Sequence, residues 1–275
     1  MRINYLSSDI LLFRGASMAA LATAFIDGER VLLVDALASR FDAADMRDYL
    51  ENSLQKRVEM IVLSSADGSH RAAVDLFPAA QLVTHEQGLA SIGWGRHTLH
   101  LAAGAAPGSL AIDVPSAALV FAVDSVAGRV AVLGTLAADC VDAGLARLQA
   151  MEPVRVVARR GTLECGQVLG QARAYLARLR AAVLAVRSSA RPGEAEAAIK
   201  AIALEDLVPP GAQPGALELH WHRDNLRRVA ERGLFPATEA RVPLVRAGSS
   251  LGQACRMTLA GVLTALLGGM GRSGL

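Results

Sequence analysis

One junction constrains the fold of this chain more than any other feature. Val58-Glu-Met-Ile-Val-Leu63 is a short apolar run and reads as a buried strand. Arg71-Ala-Ala-Val-Asp-Leu-Phe77 reads as the first turns of a helix. Between them lies the polar run Ser64-Ser-Ala-Asp-Gly-Ser-His70. Binding residues concentrate on loops held by a rigid scaffold, and the polar side chains of this loop are Ser65, Asp67, Ser69 and His70.

The 275 residues suit one large layered domain, or one domain with an appendage. With 52% hydrophobic and only 4% aromatic residues, the core must be built from Ala, Val and Leu. A net charge of +2 gives no basic surface for nucleic acid. The densest arginine group, Arg173, Arg178, Arg180 and Arg187, follows helical spacing and reads as a solvated helix face. Cys140, Cys165 and Cys255 are far apart and form no CxxC or Cys/His pattern, which speaks for a reducing compartment and against a structural zinc. The first ten residues lack an apolar signal core, so a cytoplasmic protein is expected. The apolar stretch Met257–Met270 is shorter than the roughly 20 residues that span a bilayer. It reads as a packed or interfacial helix, with Leu259, Val262, Leu263, Leu266 and Leu267 on one face.

Along the chain, Ile10–Phe13, Ala22–Ile26 and Val31–Val34 read as strands, with Asp27-Gly28 as a hairpin turn. Asp42 is a candidate N-cap for a helix running to about Lys56. Further strands are expected at Gln81–Thr84, His97–Leu101, Ser109–Ile112, Ala118–Phe121, Arg129–Leu133 and Val154–Ala158, and a helix over Ala138–Met151. After Glu164 the periodicity becomes helical: about 166–188, then from Pro192 to before Pro209, then about 216–232. His97, His100, His220 and His222 have spacings that suit no metal pair and read as surface or packing residues.

The order of these segments and four loop motifs resemble the metallo-β-lactamase superfamily. Its first loop reads Thr-His-x-His-x-Asp-His. Here Ser64 takes the Thr place, Ser65 the first His, Asp67 the second His and Ser69 the Asp, and His70 alone matches. The second motif, Gly-His-Thr-Pro-Gly-Ser, corresponds to Gly104–Ser109, with Ala105 at the ligand position. At the third, a strand followed by Gly-Asp, Gly134-Thr135 puts Thr135 in place of the bridging carboxylate, with Asp124 as a less well-spaced alternative. At the fourth, a His-Gly pair, the chain has Arg160-Gly161. The opening hairpin ends in Asp35-Ala36-Leu37, where the family has an Asp-Thr-Gly-like corner, and His222–Asn225 is similar to part of a helix found after the sandwich in one hydrolase branch.

The resemblance implies an α/β, four-layer αββα sandwich over residues 1–163, a helical appendage over 164–235, and a partly helical tail over 236–275. It also implies a dismantled zinc site. Zinc takes about four donors, and Ser65, Ser69, Ala105 and Thr135 are poor or useless ones, while Arg160 brings a cation. No metal or other cofactor is expected, although Asp67, His70 and His85 could supply a mononuclear remnant.

Three readings follow. In the first, a metal-free pseudoenzyme uses Ser65, Asp67, Ser69, His70, Thr135 and Arg160 to bind a small polar or anionic ligand, or a protein partner. In the second, a hydrolase of small esters, thioesters or lactones works with an altered site, Ser65, Asp67 and His70 being its weak catalytic candidates. In the third, the chain is a non-catalytic subunit of a homo-oligomer or of a complex with another chain, through its apolar tail.

Overall fold

The computed structural model describes residues 1–16, 20–66, 71, 74–104, 108–123, 125–134, 137–158, 162–191, 193–209 and 213–233. The expected tail helix and its apolar face, Leu259 to Leu267, lie outside them, as does Cys255.

Two six-stranded sheets carry the fold. The first runs β1 (Arg2–Ser7), β2 (Ile10–Arg14), β3 (Leu21–Asp27), β4 (Arg30–Val34), β5 (Arg57–Val62) and β6 (Gln81–Val83) in that spatial order. Its first four strands are antiparallel meanders, and β4, β5 and β6 are mutually parallel. The second sheet contains β7 (Ser91–Trp94), β8 (His97–Ala103), β9 (Leu110–Val114), β10 (Leu119–Phe121), β13 (Arg155–Val157) and β14 (Leu163–Cys165), in the order β14-β13-β10-β9-β8-β7. A small ribbon, β11 (Val126–Ala127) with β12 (Val130–Ala131), lies between β10 and β13 in the sequence.

Burial on both faces explains the uninterrupted apolar strands. In β2, Ile10 and Leu12 face the second sheet, while Leu11 and Phe13 face the opposite way. In β4, Leu32 and Val34 point inward, and Val31 and Leu33 outward. Period-two geometry requires this division, and a strand covered on both sides must be apolar throughout. The edge pair β7–β8 reads differently. Ile92, Trp94, Leu99 and Leu101 are buried, and the alternating Gly93, Thr98 and His100 are exposed.

Helix α1 (Arg40–Asp48) covers the outer face of the first sheet through Ala43 and Met46. Helices α2 (Ala138–Gln149), α3 (Gln167–Ser189) and α5 (Ala216–Arg232) cover the second through Val141, Leu145, Tyr175, Leu179, Leu226 and Val229. The result is helix, sheet, sheet, helix: the expected four-layer sandwich. The residues just after 163 form β14, the edge strand of the second sheet, and α3 and α5 belong to its covering layer.

Several local expectations are corrected. The N-cap of α1 is Ser39, whose extended backbone lets its hydroxyl accept from Asp42 N–H at 3.4 Å. Asp42 is inside the helix, and its carboxylate accepts from Ala16 N–H at 3.0 Å. The helix ends at Asp48 and passes into a π-helical turn, Tyr49–Ser53, instead of running on to Lys56. The second helix of the C-terminal part is only α4 (Ala195–Lys200). Beyond it, Leu204, Leu207 and Val208 are buried in the same core cluster as α3 and α5. Of the helix expected after His70, the described residues show one 3-10 turn, Val74–Leu76. Among the described residues no helix is long and apolar enough to cross a membrane.

Candidate functional site

The mouth of the fold lies where the parallel strands β4, β5 and β6 end and β9 begins. Its frame is built from backbone and one buried carboxylate. Asp35 follows β4 and is 3% exposed. Its N–H donates to Val62 O at 2.9 Å, and its two carboxylate oxygens accept from Ser64 N–H at 2.8 Å and Ser64 Oγ–H at 2.6 Å. The exit of β5 is thereby clamped to the exit of β4.

The Asp35-Ala36-Leu37 corner is tight. Asp35 and Leu37 take left-handed backbone conformations, at φ +62° and +61°. Leu37 stands where the resemblance expects glycine, and a left-handed non-glycine residue costs about 1–2 kcal/mol. The Leu37 side chain is fully buried, and burial of a leucine contributes about 1.5–3 kcal/mol. Packing thus offsets the strained backbone.

The loop after β5 is sewn to the second sheet. Leu110 N–H donates to Ser64 O at 2.7 Å, and Ala66 N–H donates to Gly108 O at 3.0 Å. Ser65 and Ser109 form an antiparallel bridge between these bonds. Ser65 is 5% exposed and Ser109 4%. Gly104 N–H donates to Ser109 O at 2.8 Å, and a Cβ on Gly104 would overlap Ser109 Oγ. Gly108, at φ +76°, has Ala66 Cβ and the His85 ring as neighbours, at 3.0 and 3.4 Å from where its own Cβ would stand. Gly104, Gly108 and Ser109 of the second motif thus pack closely along this seam.

Of the predicted site residues, Ser65 is placed in this seam. Asp67, Ser69, His70, Thr135 and Arg160 lie outside the described residues, as do Ala105 and Asp124. His85 begins a 3-10 turn whose cap is Thr84, and the structure brings its exposed ring to the mouth beside Gly108. Among the described residues no group of three His, Cys, Asp or Glu side chains could hold a metal ion.

The third motif is fixed from behind by α5. Asn225 is fully buried, accepts from Leu133 N–H at 3.1 Å and donates to Ala131 O at 2.7 Å. Its amide also donates to Tyr175 Oη at 3.1 Å. His222 Nε2–H donates to Ile202 O at 2.9 Å, which leaves Nδ1 to accept from the Tyr175 hydroxyl at 3.1 Å. Burial pushes the His222 imidazole below its ordinary value and the Tyr175 phenol above its own. Arg228 Nη1 donates to Gly134 O at 3.0 Å. The His222–Asn225 segment is thus a structural brace under the Gly134 loop.

No protein-family model and no curated protein matches the chain. Solved structures do match. VMB-1 superposes with a TM-score of 0.53 at 10% identity, over 64% of this chain and 96% of its own. A metallo-β-lactamase from Pontibacter korlensis gives 0.52 at 13% identity, over 64% of this chain and 98% of its own. DIM-1 metallo-β-lactamase gives 0.52 at 13% identity, over 62% and 94%. At such identities the likeness concerns the fold. The chain has the metallo-β-lactamase fold, as its motif order led us to expect.

Proposed function

We propose that the strand-end mouth of this protein works without zinc. In this reading it holds a small polar or anionic ligand, or a protein partner, and does not hydrolyse. The observation that carries the reading is Ser65. At the place of the first histidine stands a buried hydroxyl whose backbone bridges Ser109 across the seam between the sheets. A neutral hydroxyl is a weak zinc donor. The aligned Ser69, Ala105 and Thr135 add none better, and Arg160 would oppose a dication at close range. The Asp35–Ser64 clamp frames the start of the loop. Arg160 and the seryl and threonyl hydroxyls are the proposed ligand-binding groups.

The test is elemental analysis of protein grown with added zinc, iron and manganese. Less than about a tenth of an equivalent of any metal is expected. One or two equivalents, lost on His70→Ala, would overturn the proposal. That result would favour the second reading, a hydrolase of a small ester, thioester or lactone with an altered site. The observation favouring that alternative is the exposed His85 ring beside Gly108. A role as a subunit attaches to the tail outside the described residues, and measurement of oligomeric state with and without residues 237–275 tests it.

A further inference from the structure

A second constellation lies at the other end of the sandwich. β8 runs from His97 to Ala103, and Ala103 pairs with Leu110 beside the Ser65 seam. Six residue steps at about 3.3 Å each place His97 roughly 20 Å away along the strand. There three side chains from separate turns converge. Asp9 sits in the β1–β2 turn, His97 opens β8, and Ser116 lies in the 3-10 turn Pro115–Ala117 after β9.

His97 is 3% exposed and bonded on both sides. Its Nε2 lies 3.0 Å from Asp9 Oδ2, and its Nδ1 lies 2.7 Å from Ser116 Oγ. Asp9 Oδ1 also accepts from Ser7 Oγ at 2.7 Å and from Arg96 Nη2 at 2.6 Å. Burial opposes the charge on Asp9, but these bonds, and that from His97, outweigh it and hold the carboxyl down to about 2. An ionised carboxylate only accepts, so the imidazole proton belongs on Nε2. Nδ1 then carries the lone pair, and the Ser116 hydroxyl donates to it. The ring cannot swing freely, since Phe25 packs against it edge to face, with centroids 5.5 Å apart.

Ser116 itself is exposed and lines a cavity of about 340 Å³. That volume is near the lower end of small-molecule sites. Leu6, Ile10, Pro115 and Ala117 give the cavity apolar walls, and Arg155 contributes a guanidinium. Among the described residues the Arg155 side chain has no hydrogen-bond or ion-pair partner. These are the parts of an acyl-transfer site: an exposed hydroxyl, an oriented buried base, an ionised acid behind it, and a cation in the wall of the same cavity.

We propose that Ser116 is a nucleophile activated by His97, with Asp9 as positioning residue, and that this cavity cleaves short-chain carboxylic esters without metal. Ser116 Oγ attacks the ester carbonyl, and its proton passes to His97 Nδ1. Asp9 stabilises the imidazolium, and Arg155 the oxyanion. The bond to the alkoxy group breaks, and the departing oxygen takes the proton from Nδ1. Water then gives its proton to Nδ1 and attacks the acyl-serine, releasing the carboxylic acid and restoring the hydroxyl. No oxidant or co-reactant is needed. The proposal stands apart from the reading of the Ser65 mouth and does not depend on it.

The experiment treats the full chain with a fluorophosphonate probe, locates the adduct by peptide mass spectrometry, and follows p-nitrophenyl acetate hydrolysis in the presence of EDTA. The adduct is expected on Ser116, forming faster than on any other serine. Ser116→Ala should reduce EDTA-insensitive hydrolysis at least ~100-fold; the exposed position makes loss of folding no explanation. Asp9→Asn should lower kcat about 10-fold or more with KM changed less than about twofold, because the neutral amide no longer fixes the tautomer. No adduct on Ser116, or labelling no faster than at the other serines, overturns the proposal and leaves His97 a staple between two turns. Hydrolysis unchanged in Ser116→Ala overturns it too. If Ser116→Ala instead keeps hydrolysis only when EDTA is left out, the Ser65 mouth is the source of that activity, and the metal-free reading of that mouth fails.

Discussion

Asp35 and Ser64, 29 positions apart in the sequence, are joined by two hydrogen bonds from one residue to one carboxylate, at 2.8 and 2.6 Å, with both residues buried. This pair ties the ends of two parallel strands and fixes where the loop at the mouth departs. Asp35→Ala would leave a buried N–H and a buried hydroxyl without these acceptors. A loss of about 2–4 kcal/mol is expected. Asp35→Asn should cost less, since Asn tolerates left-handed backbone and keeps one acceptor. Urea unfolding midpoints of the three proteins check the order.

Gly104 and Ser109 set the second motif. Gly104→Ala drives a Cβ into Ser109 Oγ and brings it within 3.0 Å of the Ser109 carbonyl carbon. Overpacking of this kind costs about 1–3 kcal/mol. Adding Ser109→Ala should recover part of the loss, because it removes the nearest atom and leaves the backbone contact. Thermal unfolding of the single and double variants measures the coupling.

Asn225 braces the chain before Gly134. Asn225→Ala removes the partners of Leu133 N–H and Ala131 O, both backbone groups in the core, and opens a small cavity. About 2–4 kcal/mol of stability should be lost. Asn225→Asp retains the acceptor for Leu133 N–H but loses the donor to Ala131 O, and it buries a charge. It should therefore fare no better at neutral pH.

His222 makes stability depend on pH. Burial holds its folded-state pKa below the ordinary 6.5, and the bond to Ile202 O offsets only part of the shift. Its neutral form therefore contributes stability that is fully present above about pH 6.5 and is lost as pH falls through the folded-state value. The unfolding midpoint should decline on going from pH 7.5 to below 6.5. His222→Gln, which cannot take up the proton, should flatten that part of the curve while lowering stability at pH 7.5.

Much of the fold was legible because burial leaves a periodic trace. β2 and β4 are apolar throughout since both faces are covered, and α5 shows its helical stripe from end to end. The π-helical turn at Tyr49–Ser53 was not legible, because it has no local signature in the sequence.

The sequence by itself determined the order of the motifs, since that depends only on which residue stands next to which. Tertiary structure decided the rest. It turned Ser65 into a buried link between sheets and set the His85 ring beside Gly108. It also joined Asp9, His97 and Ser116, which lie 88 and 19 positions apart. No spacing rule reports such a meeting, because it is made by the register of β8 against β9 and the packing of one sheet on the other, which bring together turns distant along the chain.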